Sequence, residues 1–193
     1  LTSLVGRDRE LALVQALISR SDVRLLTLTG PGGIGKTRLA LRLAADLGGA
    51  FAGGVRFVPL ASVRDADLVT ASIAHAIGVE PGGRTRAFDA LTSALGAADT
   101  LLLVDNFEHV HVAASVLSDL LAACPRLKIL VTSRVLLRVE GEHTLAVPPL
   151  TVPDPDTVDS LEDLVQCSAI QLFAHRAQSV GSCGRKPRHT RRY

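Results

Sequence analysis

Methionine is absent from this 193-residue sequence, and cysteine nearly so. The three cysteines, Cys124, Cys167 and Cys183, are far apart and form no C-x-x-C pair, which argues against both a zinc site and a disulfide framework. Long hydrophobic runs are missing too. The apolar stretches are short and broken by charge, well below the roughly 20 residues that a spanning helix needs. No basic-then-apolar segment opens the chain. With free thiols, this leads to the expectation of a cytoplasmic protein with no membrane partner. Lacking a methionine, the chain reads as a fragment or as one whose true start lies elsewhere. No internal repeat is found at any spacing.

Charge of one sign is also lacking over most of the length. The net charge is +2, but Arg185, Lys186, Arg188, Arg191 and Arg192 crowd into Gly181–Tyr193 with no acid among them. Without those five, residues 1–180 are slightly acidic. The folded part therefore shows no electrostatic footprint for nucleic acid, and no direct nucleic-acid binding is expected. Residues 181–193 read as a solvated, disordered basic tail.

What is present is enough apolar material for a core, 47% of residues, arranged as alternating strands and helices. That alternation is the mark of a parallel sheet covered by helices. The pattern predicts helices at Asp8–Ser19, Gly35–Leu47, Ala66–Ile77, Ala87–Leu95 and Val110–Ala123. It predicts strands at Leu25–Thr29, Val55–Leu60, Leu101–Val104, Leu127–Thr132 and Thr144–Val147. The third strand is purely apolar and so is expected inside the sheet. Val152–Asp159 holds two prolines and three aspartates and reads as a linker. Ser160–Asp163 then offers a capping-box-like start to a single last helix, Leu161–Val180. The organisation expected is a nucleotide-binding domain over 1–150, a linker over 151–160, a helix over 161–180 and the tail over 181–193.

Four motifs carry chemistry. The strongest is GPGGIGKT at Gly30–Thr37, which matches G-x-x-x-x-G-K-[ST] directly after a strand and directly before a helix. A polyphosphate needs many donors converging on a small volume. Gly30, Gly32, Gly33 and Gly35 let the backbone turn tightly and aim N–H groups inward, Ile34 completes the loop, and the helix start adds its positive end. Pro31 has no N–H to donate and only stiffens the loop. Lys36 is a mobile charge for the β- and γ-phosphates, and the Thr37 hydroxyl is a hard ligand for Mg²⁺. The competing reading, a glycine-rich turn without a ligand, is disfavoured because motif and context agree.

The second motif, LLLVDNFEH at Leu101–His109, is an apolar strand ending in an acid. In an open α/β sheet the strand C-termini line the ligand crevice, so Asp105 is the expected metal carboxylate; a helix-capping aspartate is the alternative. Asn106 stands where an acid would polarise the attacking water, and an amide cannot take up a proton at neutral pH. Glu108 is the nearest substitute, set beyond the strand. His109 and His111 do not share a helix face and read as exposed or capping residues. The third motif, VTSR at Val131–Arg134, admits two readings: a sensing strand end, with Thr132 and Ser133 set to meet phosphate or the attacking water and Arg134 near the γ-phosphate, or an ordinary polar strand exit with a solvated arginine. The fourth, LVGRDREL at Leu4–Leu11, reads by itself as a capping turn.

In this order and spacing the four motifs resemble the NB-ARC branch of the STAND signal-transduction ATPases. More narrowly, LVGRDREL, LTLTGPGGIGKTRLAL, VRFVPLASVRDADLV, LLLVDNFEHV, LLAACPRLKILVTSR and GEHTLAVPPL resemble the ATPase segment of actinobacterial SARP- and LuxR-type transcriptional regulators, from about Leu4 to about Val180. The resemblance implies a P-loop α/β fold with five parallel strands in the order 5-1-4-3-2. It implies ATP or ADP with Mg²⁺ as ligands, and hydrolysis that serves a switch, with ADP holding a closed state and ATP promoting opening. Val5 and Arg7 match the box that lies against adenine and ribose, and Arg134 matches a sensor arginine. Lys36, Asp105 and Arg134 are then the catalytic set, Val5, Arg7 and Gly30–Thr37 the nucleotide contacts, and Thr37 and Asp105 the metal ligands.

The resemblance also implies further helical, winged-helix and sensor domains, with Ser168–Ala177 matching the first helix of the helical one. Leu164, Ile170, Leu172 and Phe173 on that helix either pack on the core or stay exposed and promote self-association. The alternatives to a regulatory ATP switch are a freestanding ATPase or kinase-like enzyme and a non-functional remnant of a longer gene. Against the enzyme, no acceptor-site base and no lid-like insertion is found.

Overall fold

The computed structural model describes residues 4–79, 84–153 and 161–181. The basic tail, the Pro81–Gly83 loop and most of the linker expected over 151–160 lie outside these residues. The chain divides into two compact units, one spanning Arg9–Pro148 and one that joins residues of Leu1–Asp8 with residues of Pro149–Tyr193.

In the first unit, β1 (Leu25–Thr29), β2 (Val55–Pro59), β3 (Thr100–Asp105), β4 (Leu127–Ser133) and β5 (Glu142–Ala146) form one sheet in the order β2-β3-β4-β1-β5. Every adjacent pair is parallel, and read from the other edge this is the expected 5-1-4-3-2. Burial follows position in the sheet. All six residues of β3 are buried, whereas the edge strands β2 and β5 keep several residues exposed or half-buried. Side chains alternate across a strand, so Leu25, Leu102, Val104, Ile129 and Val131 share one core cluster with Ile73, Leu91 and Leu117 from the helices. Their neighbours Leu26, Leu28, Leu101, Leu103 and Leu130 are just as buried. Both sheet faces are therefore covered, as parallel sheets require.

The helices are α1 (Asp8–Ser19), α2 (Lys36–Leu47), α3 (Val69–Ala76), α4 (Arg84–Gly96) and α5 (Ala114–Ala123). Three of them depart from expectation at their starts by more than one residue, and α4 does so by opening at Arg84, three residues before the expected Ala87. The helix expected from Ala66 opens as a 3-10 turn, Ala66–Leu68, capped by the Asp65 carboxylate on the Asp67 N–H. The helix expected from Val110 begins only at Ala114, after two separate 3-10 turns, Phe107–His109 and His111–Ala113. The cause lies one residue earlier. Asn106 takes a left-handed backbone, φ 62, a conformation asparagine tolerates better than most residues, and it turns the chain sharply at the end of β3.

The second unit contains α6 (Leu161–Gln166) and α7 (Ser168–Gly181). The single helix expected over Leu161–Val180 is thus two helices, broken at Cys167. Ser168 explains the break: its N–H and hydroxyl both engage the Thr151 hydroxyl, at 3.2 and 2.7 Å, and the Ala169 N–H donates to the Thr151 carbonyl. The same serine sits against Gly6, where φ is +63 and an added Cβ would collide with the Ser168 side chain. Leu164, Ile170 and Leu172 are half-buried and Phe173 is exposed.

Arg24, at the start of β1, fastens the sheet to α5. Its guanidinium donates to the carbonyls of Leu121 and Cys124, both at 2.6 Å, and to that of Leu127 at 3.3 Å. The last carbonyls of a helix have no intrahelical donor, and a cation there also suits the helix dipole. Arg24→Ala strips these donors and is expected to destabilise the fold by about 1–3 kcal/mol, the range for losing charged hydrogen bonds at partly buried acceptors. Arg24→Lys should recover only part of that, since one ammonium cannot reproduce the planar fork. Urea unfolding measures both, and an unchanged midpoint for Arg24→Ala would refute this account.

Candidate phosphate site at the strand ends

The C-terminal ends of β1, β3 and β4 open at the same edge of the sheet, and each delivers a different chemistry there. β1 runs into Gly30 and the loop that starts α2. Three positions of that loop hold backbone that only glycine adopts without strain: Gly30 (φ 145), Gly33 (φ 78) and Gly35 (φ 99). Space restricts the loop as well. A Cβ on Gly30 would come within 3.0 Å of the Val147 carbonyl, and one on Gly32 within 3.2 Å of the Arg134 guanidinium. Pro31, Gly32 and Gly33 are exposed, Ile34 and Gly35 half-buried.

Lys36 opens α2 and is buried, 8% exposed. Its ammonium donates to the carbonyls of Gly30 at 2.7 Å and Pro31 at 3.0 Å, so it lies along the inside of the loop. Burial pushes its pKa below the usual lysine range. Arg134 adds to that, while Glu108 and Asp105 oppose it, Glu108 more strongly.

The carboxylate of Asp105 is buried, 5% exposed. One oxygen, Oδ1, accepts from the Thr37 hydroxyl at 2.7 Å and from the Thr132 hydroxyl. This is not a capping aspartate. It ties the loop helix to the sheet, because Thr37 belongs to α2 and Thr132 to β4. Register makes the second contact: Val104 lies opposite Val131, which brings Asp105 level with Thr132. The Thr132 hydroxyl also accepts from the Asn106 N–H at 3.1 Å. With both roles taken and no exposure, Thr132 holds Asp105 in place; it is not free to sense a phosphate. Ser133, equally unexposed, accepts from the Val135 N–H at 3.2 Å.

Arg134 leaves the end of β4 with its side chain 58% exposed and its Nε 3.0 Å from Glu108 Oε1. Its Nη2 is the group that lies over Gly32. Glu108 comes from the 3-10 turn Phe107–His109, anchored by the fully buried Phe107. Its side chain is only 9% exposed, and its second oxygen, Oε2, is buried without a hydrogen-bond partner among the described residues. His109 and His111 are exposed.

The structure therefore gathers Gly30–Thr37, Asp105 and Arg134. It adds two residues that sequence reasoning undervalued, Thr132 and Glu108. The signal for Thr132 was its place one step beyond a register pair with β3. The signal for Glu108 was an acid three residues after the strand-end aspartate. Val5, half-buried, and Arg7, buried, belong to the other compact unit.

Comparisons with known proteins agree with this geometry. The profile described as AAA domain matches residues 19–139, which include the glycine loop and the ends of β3 and β4. An uncharacterized protein of Mycobacterium tuberculosis is 41% identical over 185 residues, covering 94% of this chain and 43% of its own length. A second M. tuberculosis protein, named "Putative HTH-type transcriptional regulator", is 36% identical over 170 residues, covering 86% of this chain and 17% of its own length. The chain thus spans less than half the length of these relatives. Among solved structures, Cdc6p from Pyrobaculum aerophilum superposes with a TM-score of 0.65 at 14% identity, over 93% of this chain and 51% of that one, a likeness of fold. With more than half of its length matched and the phosphate loop in place, this chain belongs to the AAA domain family, as a P-loop ATPase domain related to the corresponding segment of mycobacterial proteins named as transcriptional regulators.

Proposed function

We propose that this domain binds ATP with Mg²⁺, hydrolyses it slowly and serves as the nucleotide-dependent switch of a longer regulatory protein. The observation that carries the reading is the junction of Thr37, Asp105 and Lys36. A lysine and a hydroxyl from the start of α2 and a carboxylate from the end of β3 meet at the open end of a parallel sheet, where such folds bind ligands.

In this reading Gly30–Thr37 wraps the phosphates, and Lys36 leaves the Gly30 and Pro31 carbonyls for the β- and γ-oxygens. The donor set fits a hard cation. Thr37 and Asp105 already place a hydroxyl and a carboxylate 2.7 Å apart, the oxygen chemistry Mg²⁺ prefers. Among the described residues no group of three or more His, Cys, Asp or Glu side chains is placed to hold a metal, so the ion would complete its shell from phosphate and water. When bound, Mg²⁺ supplies charge neutralisation on the β- and γ-phosphate oxygens. Arg134 reaches the γ-phosphate from above Gly32. Val5 and Arg7 take the adenine and ribose side on the strength of the family resemblance alone. Similarity to a protein named as an HTH-type regulator supports the regulatory role, and the domains that would read the nucleotide state belong to the longer relatives.

Three outcomes are expected. Lys36→Ala removes most ATP affinity in calorimetric titration, because it deletes the mobile charge facing the terminal phosphates; equal affinity would sink the proposal. Asp105→Asn abolishes the gain in affinity that Mg²⁺ confers, while metal-free binding, measured in EDTA, changes little. Turnover followed by phosphate release stays well below about 10 s⁻¹, the median for enzymes, since Asn106 cannot accept a proton. A rate at or above that value would contradict the switch reading.

A further inference from the structure

Glu108 is unusual for a carboxylate near a phosphate loop. Its side chain is nine-tenths buried, one oxygen is held by Arg134 Nε at 3.0 Å, and the other is buried with no partner. A carboxylate offers about four lone-pair sites over its two oxygens. A buried polar atom left unsatisfied costs about 1–3 kcal/mol, and one found in a native site calls for an explanation such as catalysis or a bound water. Nothing about the fold demands an acid here. The turn is anchored by Phe107 and set by the left-handed Asn106, and neither needs the carboxylate.

Position supplies the second argument. Arg134 links Glu108 to the loop, with its Nε on Glu108 and its Nη2 over Gly32. One planar guanidinium therefore aims the carboxylate at the loop while its other donors remain directed there. Asn106, the position next to the metal carboxylate, cannot do proton chemistry, and its N–H is spent on Thr132.

Building on the ATP-site reading, we infer that Glu108 is the general base of hydrolysis, with Oε2 accepting a proton from the attacking water and Arg134 orienting it through Oε1. In this step the water oxygen bonds to the γ-phosphorus as the bond from that phosphorus to the β,γ-bridging oxygen breaks. The bond electrons leave with ADP, the water proton passes to Oε2, and that proton is later lost to solvent as phosphate departs.

The test separates base from scaffold and hydrolysis from binding. Glu108→Gln keeps the shape and an oxygen for Arg134 Nε but cannot take up a proton. Glu108→Asp keeps a carboxylate but retracts it by one methylene and holds Arg134 less well. ATP affinity, thermal melting and single-turnover hydrolysis are measured for both and for the wild type, with Mg²⁺. The expected result is unchanged affinity and melting for Glu108→Gln, with its single-turnover rate reduced by about 10²–10⁴, the usual worth of general-base help, and Glu108→Asp faster than Glu108→Gln. A Glu108→Gln rate equal to wild type overturns the inference. So does the reverse order, Glu108→Gln faster than Glu108→Asp, which a purely structural role predicts. Wild type that binds ATP without cleaving it in a single turnover also overturns it, with the binding reading intact. Failure of the wild type to bind ATP at all removes that reading, and this inference with it.

Discussion

One carboxylate oxygen, Oδ1 of Asp105, accepts hydrogen bonds from two threonines on different elements, Thr37 of α2 and Thr132 of β4. Much of the site depends on that shared acceptor. The glycine loop has few side chains to hold it, and its exposed residues Pro31–Gly33 contribute little packing. Its position is instead set at the ends, by β1 pairing with β4 and β5 on one side and by Thr37 tied to the sheet on the other. Buried hydrogen bonds to a charged acceptor are among the stronger ones available, and here they link the loop, the strand end of β3 and the strand end of β4. The fully buried β3 gives this knot a rigid base, since it is packed on both faces and flanked on both edges.

The same arrangement explains what was readable in the sequence and what was not. The phosphate loop, the five strands and the place of Asp105 at a strand end were legible because each has a local signature: glycines at fixed spacing, apolar runs of strand length, and an acid at the end of one such run; the strand order came from the family resemblance alone. The helix starts were less so. Ala66 and Val110 sit inside apolar patterns of helical period, yet the chain takes 3-10 turns there, because the cap at Asp65 and the left-handed Asn106 act on the backbone and periodicity does not register them. Thr132 and Glu108 were undervalued for another reason. Their importance comes from register and from a turn, which bring together residues 27 and 26 positions apart in sequence, Asp105 with Thr132 and Glu108 with Arg134. The break at Cys167 has the same origin, since it depends on Ser168 meeting Thr151 across the linker.

Most polar groups of the site are partnered to one another, the buried Glu108 Oε2 excepted. Lys36 is held by two loop carbonyls, Thr37 by Asp105, and Arg134 by Glu108. In the proposed reading nucleotide binding is therefore an exchange of partners. Lys36 must leave Gly30 and Pro31, and Thr37 must share Asp105 with a metal ion, so part of the gross attraction is offset by contacts given up. The burial that lowers the Lys36 pKa acts in the same sense, because a desolvated ammonium gains more from a phosphate than a hydrated one but costs more to maintain without it.

Arg134 stands apart from this exchange. Its Nε pairs with Glu108 while its Nη2 lies over Gly32, and its fork geometry is fixed. In the proposed reading a phosphate arriving there meets Nη2 beside the loop. The two halves of the site thus differ in kind. The Lys36–Thr37 half trades bonds with any nucleotide that fills the loop, whereas the Arg134–Glu108 half is pre-arranged for a group that reaches beyond it. In a switch, only contacts that differ between two ligands shift the equilibrium between states. In the proposed reading the phosphates common to ADP and ATP fill the loop in both cases. The γ-phosphate is the one group that separates the ligands, so the discriminating free energy of the proposed switch comes from the groups that would reach it, Lys36 from inside the loop and Arg134 from above Gly32, and of these Arg134 is the one that gives up no loop carbonyl to do so.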